Sequence, residues 1–131
     1  MTIIVSYVPT QEGFVALGAA MDEARWRKTS LTVVNVVVGS DASGPTFADE
    51  KDLDAVRARL DEMGIEEDIR QISSSTDVAD EVIKLAEDLD AELIVVGLRR
   101  KTALGKALLG SNAQRIMLSA SCPVLSVRPA D

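Results

Sequence analysis

The chain has 131 residues, enough for one domain whose core buries roughly two-thirds of the unfolded surface without a disulfide or a metal. Hydrophobic residues make up 47% and charged residues 27%, which excludes wholesale disorder, and the net charge of −7 disfavours non-specific binding to nucleic acid. The lone cysteine, Cys122, excludes an internal disulfide, and the lack of histidine excludes a Ser-His-Asp triad and every His-containing metal site.

Thr2–Val8 is a β-branched run of strand length, closed by turn residues over Pro9–Glu12. Phe14, Leu17, Met21 and Ala24 follow at helical spacing, and Trp26 near the helix end is expected to pack against the sheet. Leu31–Val38 is apolar almost throughout, as suits a parallel strand covered by helices on both faces. Gly39–Phe47 is a loop of turn residues, and the carboxylates of Asp49, Glu50, Asp52 and Asp54 suit a solvated helix start rather than a metal site. Leu53, Val56, Leu60 and Met63 continue that helix, and Gly64 stops it. Glu66–Ile72 alternates and is partly polar, which predicts an edge strand. Val78, Val82, Leu85 and Leu89 mark a third helix, and Glu92–Val96 a central strand ending at Gly97. Ser111–Ala120 predicts a fourth helix and Pro123–Val127 a last strand, with Cys122 read as a small buried apolar residue at its entry.

Strict alternation of strand and helix predicts an α/β fold over 1–131 as one domain, an open parallel sheet with helices on both faces. In such sheets ligands bind beyond the carboxyl ends of the strands, where the strand order reverses, so the loops after Val8, Val38 and Val96 are the candidate site. Met1–Val8 carries no Lys or Arg, and no apolar run reaches membrane-spanning length. The expectation is a cytoplasmic chain with neither membrane nor nucleic acid as partner.

Charge is divided unevenly: residues 1–90 carry 8 Lys/Arg against 19 Asp/Glu, and residues 91–131 carry 6 against 2. Arg99, Arg100, Lys101 and Lys106 surround Gly97 and Gly105. A basic, glycine-containing loop leading into a helix N-terminus is either an anion site or a solvated loop. Ser111 likewise has two readings, a donor to a bound phosphate or, with Gln114, an S-x-x-Q capping box. The P-loop pattern is absent, and so is the glycine-rich dinucleotide fingerprint after the first strand.

Gly97-Leu98-Arg99-Arg100, nine further residues and Gly110-Ser111 resemble the G-x2-G-x9-G-[ST] signature of the universal stress protein family, with Arg100 in place of the middle glycine. The run from Gly105 to Arg128, GKALLGSNAQRIMLSASCPVLSVR, is similar to the family's ending, and IIVSYVPTQEG to the opening of some members. The resemblance implies a Rossmann-like sheet of order 3-2-1-4-5. It also implies a non-enzymatic stress-response regulator, a homodimer joined through its last strand at Val124, Leu125 and Val127, and an unidentified regulatory protein partner.

It further implies binding of an adenine nucleotide, ATP or AMP, with Mg accompanying ATP. The implied contacts are Ser6, Tyr7, Val8, Val36, Val96, Gly97, Arg99, Arg100, Gly110, Ser111, Asn112 and Ala113. Val8 stands where nucleotide-binding members carry Asp; Arg100 either fills space that glycine leaves open or supplies a charge to a phosphate. A member without nucleotide, acting as an interaction module, is the alternative. A hydrolase is disfavoured, because there is no histidine and the sequence places no carboxylate beside the phosphate loop.

Overall fold

The computed structural model describes residues 1–39, 44–99 and 109–130. Nine elements alternate: β1 (Thr2–Ser6), α1 (Gln11–Arg27), β2 (Ser30–Val38), α2 (Glu50–Glu62), β3 (Glu67–Ser74), α3 (Val78–Asp88), β4 (Leu93–Gly97), α4 (Ser111–Ser119) and β5 (Val124–Val127). The five strands form one parallel sheet in the order β3-β2-β1-β4-β5. β1 sits at its centre, with Thr2 to Ser6 opposite Ser30 to Val34 of β2, and Ile3 to Val5 opposite Leu93 to Val95 of β4.

The apolar strands serve two cores because successive side chains point to opposite faces. Ile3, Val5, Leu31, Val33, Leu93 and Val95 pack with Leu17, Met21, Val56 and Leu60 of α1 and α2. Ile4, Val34, Val36, Ile94 and Val96 pack with Val82, Leu85 and Ile116 of α3 and α4. The sheet is therefore covered on both faces, and β3, the polar strand, lies at an edge.

Helix starts are set by side-chain caps. Thr10 accepts from Gly13 N before α1, Asp49 forms a reciprocal capping box with Asp52 before α2, and Asp77 accepts from Asp80 N before α3. α2 ends next to Gly64, whose φ of +69° is the left-handed geometry glycine tolerates.

The expected boundaries shift in places. β1 stops at Ser6 rather than Val8, because Pro9 and the capping Thr10 turn the chain, although Tyr7 N still donates to Val34 O at 2.8 Å. β3 runs two residues beyond Ile72, since Ser73 and Ser74 keep pairing with Val37 and Val38. Trp26 does not pack against the sheet: it is 85% exposed. Leu17, Met21 and Ala24 set the buried stripe of α1, and two residues beyond Ala24 the helix has turned roughly 200° away from it. Phe14 is also half exposed and meets only the edge of the Tyr7 ring, with centroids 6.1 Å apart.

Candidate functional site

The connections from β1 run one way to β2 and the other way, later in the chain, to β4. The crevice this reversal opens is a cleft of about 290 Å³ beyond the carboxyl ends of β1, β2 and β4. Ser6, Tyr7, Val8, Val36, Val96, Gly97, Arg99, Gly110, Ser111, Asn112 and Ala113 all line it. Arg100, Lys101 and Lys106 lie outside the described residues.

Close packing of α1 against two strands builds the floor. A Cβ on Gly13 would come within 2.8 Å of the Val8 carbonyl carbon, so the first turn of α1 lies directly on the exit of β1. A Cβ on Gly97 would come within 2.8 Å of the Glu12 carbonyl carbon and 3.2 Å of its Cβ. Gly97 is thus needed for the approach of α1; its φ is not left-handed, and no sharp turn off β4 explains it. The same contact delivers what the sequence does not foretell. Glu12, which makes that contact, lines the cleft together with Gly97 and Ser111, so one acidic residue stands among the described lining residues.

α4 supplies the opposite wall. Its N-cap is Gly110, in extended geometry and with no side-chain cap bond; Ser111 is the first helical residue, so of the two readings of Ser111 the capping box with Gln114 does not form. The first intrahelical bond runs from Gln114 N to Gly110 O, at 3.0 Å, which leaves the amides of Ser111, Asn112 and Ala113 without an intrahelical acceptor. The Asn112 side chain is partly committed to structure: its Oδ1 accepts from Ala79 N at 3.2 Å, joining α4 to the start of α3. Arg115 reinforces that junction by pairing with Asp77 and Asp80. Arg99, exposed at the mouth, adds a guanidinium.

Tyr7 meets the cleft differently from the expectation of a ligand contact. Its ring is 1% exposed and lies in the core beneath α1 and α2, where burial, then the nearby Asp52 charge, push the phenol up. Its carbonyl accepts from Asn35 Nδ2 at 2.9 Å. The sequence does not mark Gly13, Thr46 and Val78 as cleft-lining residues, nor Asn35 as their neighbour. The signal for Asn35 was there, one amide inside the apolar run Leu31–Val38.

Among the described residues β5 pairs only with β4, and its far side is open. Leu125 and Val127 pack on the α1 side and Val124 on the α4 side, each partly buried by the chain itself. Pro123 O and Val127 O accept from Ile94 N and Leu98 N, so the alternating backbone groups of Val124 and Ser126 face the open edge. Cys122 is half-buried rather than buried, and desolvation raises its thiol pKa. Among the described residues, no cluster of His, Cys, Asp and Glu could hold a metal ion, and no helix is long and apolar enough to cross a membrane.

Comparison with known proteins fits this architecture. A universal stress protein of Mycolicibacterium smegmatis is 36% identical over 127 residues, covering 97% of each chain. A universal stress protein family member from Burkholderia pseudomallei superposes with a TM-score of 0.75 at 27% identity, covering 98% of this chain and 96% of that one. A universal stress protein from Archaeoglobus fulgidus, solved in complex with dAMP, shares the fold with a TM-score of 0.66 at 19% identity, covering 95% and 94%. The sequence profile of the universal stress protein family matches residues 1–128, and the chain belongs to that family.

Proposed function

We propose that the cleft binds an adenine nucleotide, ATP or AMP, and that the chain is a non-enzymatic, nucleotide-responsive regulator in the cytoplasm, working as a homodimer on a protein partner. The observation that carries the reading is the start of α4. Three helices begin under a side-chain cap, whereas α4 begins at Gly110 and presents the amides of Ser111, Asn112 and Ala113 along the cleft. Free amides and the positive end of the helix dipole suit a phosphate, and the Arg99 guanidinium adds a charge-assisted donor. Val36 and Val96 offer apolar surface to a base, and the Glu12 carboxylate offers an acceptor for ribose hydroxyls. The dAMP held by the Archaeoglobus fulgidus neighbour supports a nucleotide of this class. Mg accompanying ATP would rest on the phosphates. Dimerisation would use the open β5 edge, pairing the backbone of Val124 and Ser126 with a second copy.

Titration calorimetry with AMP and ATP tests the site. Wild-type protein should bind one nucleotide per chain, and Ser111→Trp, which fills the cleft beside α4, should abolish the heat. Unchanged affinity in that variant would move the nucleotide elsewhere. A wild type silent toward both ligands at millimolar concentration would leave the interaction-module reading in its place. Phosphate release from ATP should match the protein-free blank.

A further inference from the structure

Asn35 is wholly buried, with 0% exposure, in a strand otherwise built of Val, Leu, Thr and Ser. A buried amide survives in such a setting only when its hydrogen bonds are met. Here all are. Nδ2 donates to Tyr7 O and to Thr46 O, both at 2.9 Å. Oδ1 accepts from Ala48 N at 3.1 Å and from Gln71 Nε2 at 3.0 Å. Gln71 Nε2 also donates to Ala48 O at 2.7 Å, so the outer strand braces the same loop.

The partners make this more than a filled core position. Tyr7 follows the last residue of β1, and Thr46 lies in the loop between β2 and α2; both line the cleft. Neither segment belongs to a strand. Among the described residues, the hydrogen bonds tying 44–48 to the sheet are those made by Asn35 and Gln71. One amide group therefore sets the spacing between the exit of β1 and the loop that overhangs it.

We infer that Asn35 is a positioning residue of the cleft: by clamping the Tyr7 and Thr46 carbonyls to one side chain, it fixes the nucleoside end of the site and thereby sets nucleotide affinity. This rests on the nucleotide-binding reading above. It assigns Asn35 to the end of the cleft away from α4, so its loss is felt equally by ligands that differ only in phosphate number.

The test is calorimetry of AMP and ATP with four variants, together with amide exchange at Ala48. Asn35→Leu removes every bond, and the isosteric Asn35→Asp keeps the acceptor while setting a carboxylate oxygen against two carbonyls. Both should weaken AMP and ATP by the same factor, about tenfold or more, and speed exchange at Ala48. Thr32→Val is the control. It breaks another buried polar contact on β2, the 3.0 Å hydroxyl pair with Thr2 away from the cleft, and should leave both affinities within about twofold. Gln71→Leu, on the exposed edge strand, should give a smaller loss that is again equal for the two ligands.

Folded Asn35 variants that bind like wild type would overturn the inference, as would a Thr32→Val loss as large as theirs. If the Asn35 variants do not fold, unchanged affinity in Gln71→Leu overturns it. A wild type that binds neither nucleotide defeats the functional reading and this inference together. A wild type that binds, beside Asn35 variants that bind equally, defeats this inference alone.

Discussion

Gly97→Ala separates two explanations of a glycine at the mouth of the proposed nucleotide cleft. If glycine is there to admit a ligand, alanine lowers affinity and leaves stability alone. The structure places the conflict elsewhere: the new methyl would run into the Glu12 carbonyl oxygen, with the carbonyl carbon 2.8 Å and the Glu12 Cβ 3.2 Å away. The obstacle is helix backbone rather than the flexible end of a side chain, so relief requires the start of α1 to lift off β4. Overpacking of this kind costs about 1–3 kcal/mol. For a chain of this size that corresponds to a fall in Tm of roughly 4–12 °C. Urea unfolding followed by far-UV circular dichroism should show a lower midpoint at unchanged slope; the fluorescence of the exposed Trp26 would report poorly. Gly110→Ala is the comparison, since nothing lies within 4 Å of its Cβ position and the loss there is confined to the helix cap. Gly97→Ala with wild-type stability and reduced nucleotide affinity would refute the packing argument and restore the ligand-approach explanation.

Replacing Arg99 and Arg100 together by Ala should weaken ATP about tenfold or more, the value of a charge-assisted hydrogen bond; tighter ATP binding in calorimetry would mean that the arginines obstruct the cleft. Ser126→Pro removes an N–H that faces the open edge of β5 and should give a folded monomer by sedimentation, and a wild type already monomeric at micromolar concentration would sink the dimer proposal. Burial, then the neighbouring Asp61 carboxyl, raise the Glu67 carboxyl above its ordinary 4.5, against the opposing charge of Arg57. The folded state then holds this proton more tightly than the unfolded one, so its contribution is present at low pH and is lost as pH rises through the folded pKa. Glu67→Gln should accordingly stabilise the protein more at pH 7 than at acid pH, and a pH-independent difference in unfolding midpoint would contradict the assignment.

What the sequence revealed, and what it hid, follows from the range of the forces involved. Strand and helix order was legible because it is written locally, in the doubly apolar run of β2, the polar alternation of β3 and the i, i+3, i+4 stripes of α2 and α3. The error at Trp26 was one of helical phase, where a large apolar residue outweighed the position of Leu17, Met21 and Ala24. The capping-box alternative at Ser111 fails on register. S-x-x-Q has capping-box spacing, but Gly110 takes the extended N-cap conformation and moves Ser111 one step into the helix. That one step matters for chemistry: a serine at the cap would occupy an amide that the observed geometry leaves facing the cleft.

Glu12 shows the limit most clearly, because the sequence offers it only as the last residue of the turn after the first strand. It lies in the first turn of an ordinary helix, four residues beyond Val8, where the resemblance implies a carboxylate. It enters the cleft only because Gly13 lets α1 rest on Val8 and Gly97 lets it rest on β4. The wall that lacks a carboxylate at Val8 therefore gains one from a helical turn further on. Among the described lining residues the cleft therefore carries one acidic side chain, Glu12, and one basic side chain, Arg99, beside the uncapped start of α4. A lining of mixed charge disfavours a uniformly anionic ligand such as polyphosphate alone. It favours a molecule with neutral hydrogen-bond donors at one end and phosphate at the other, which is the construction of a nucleotide.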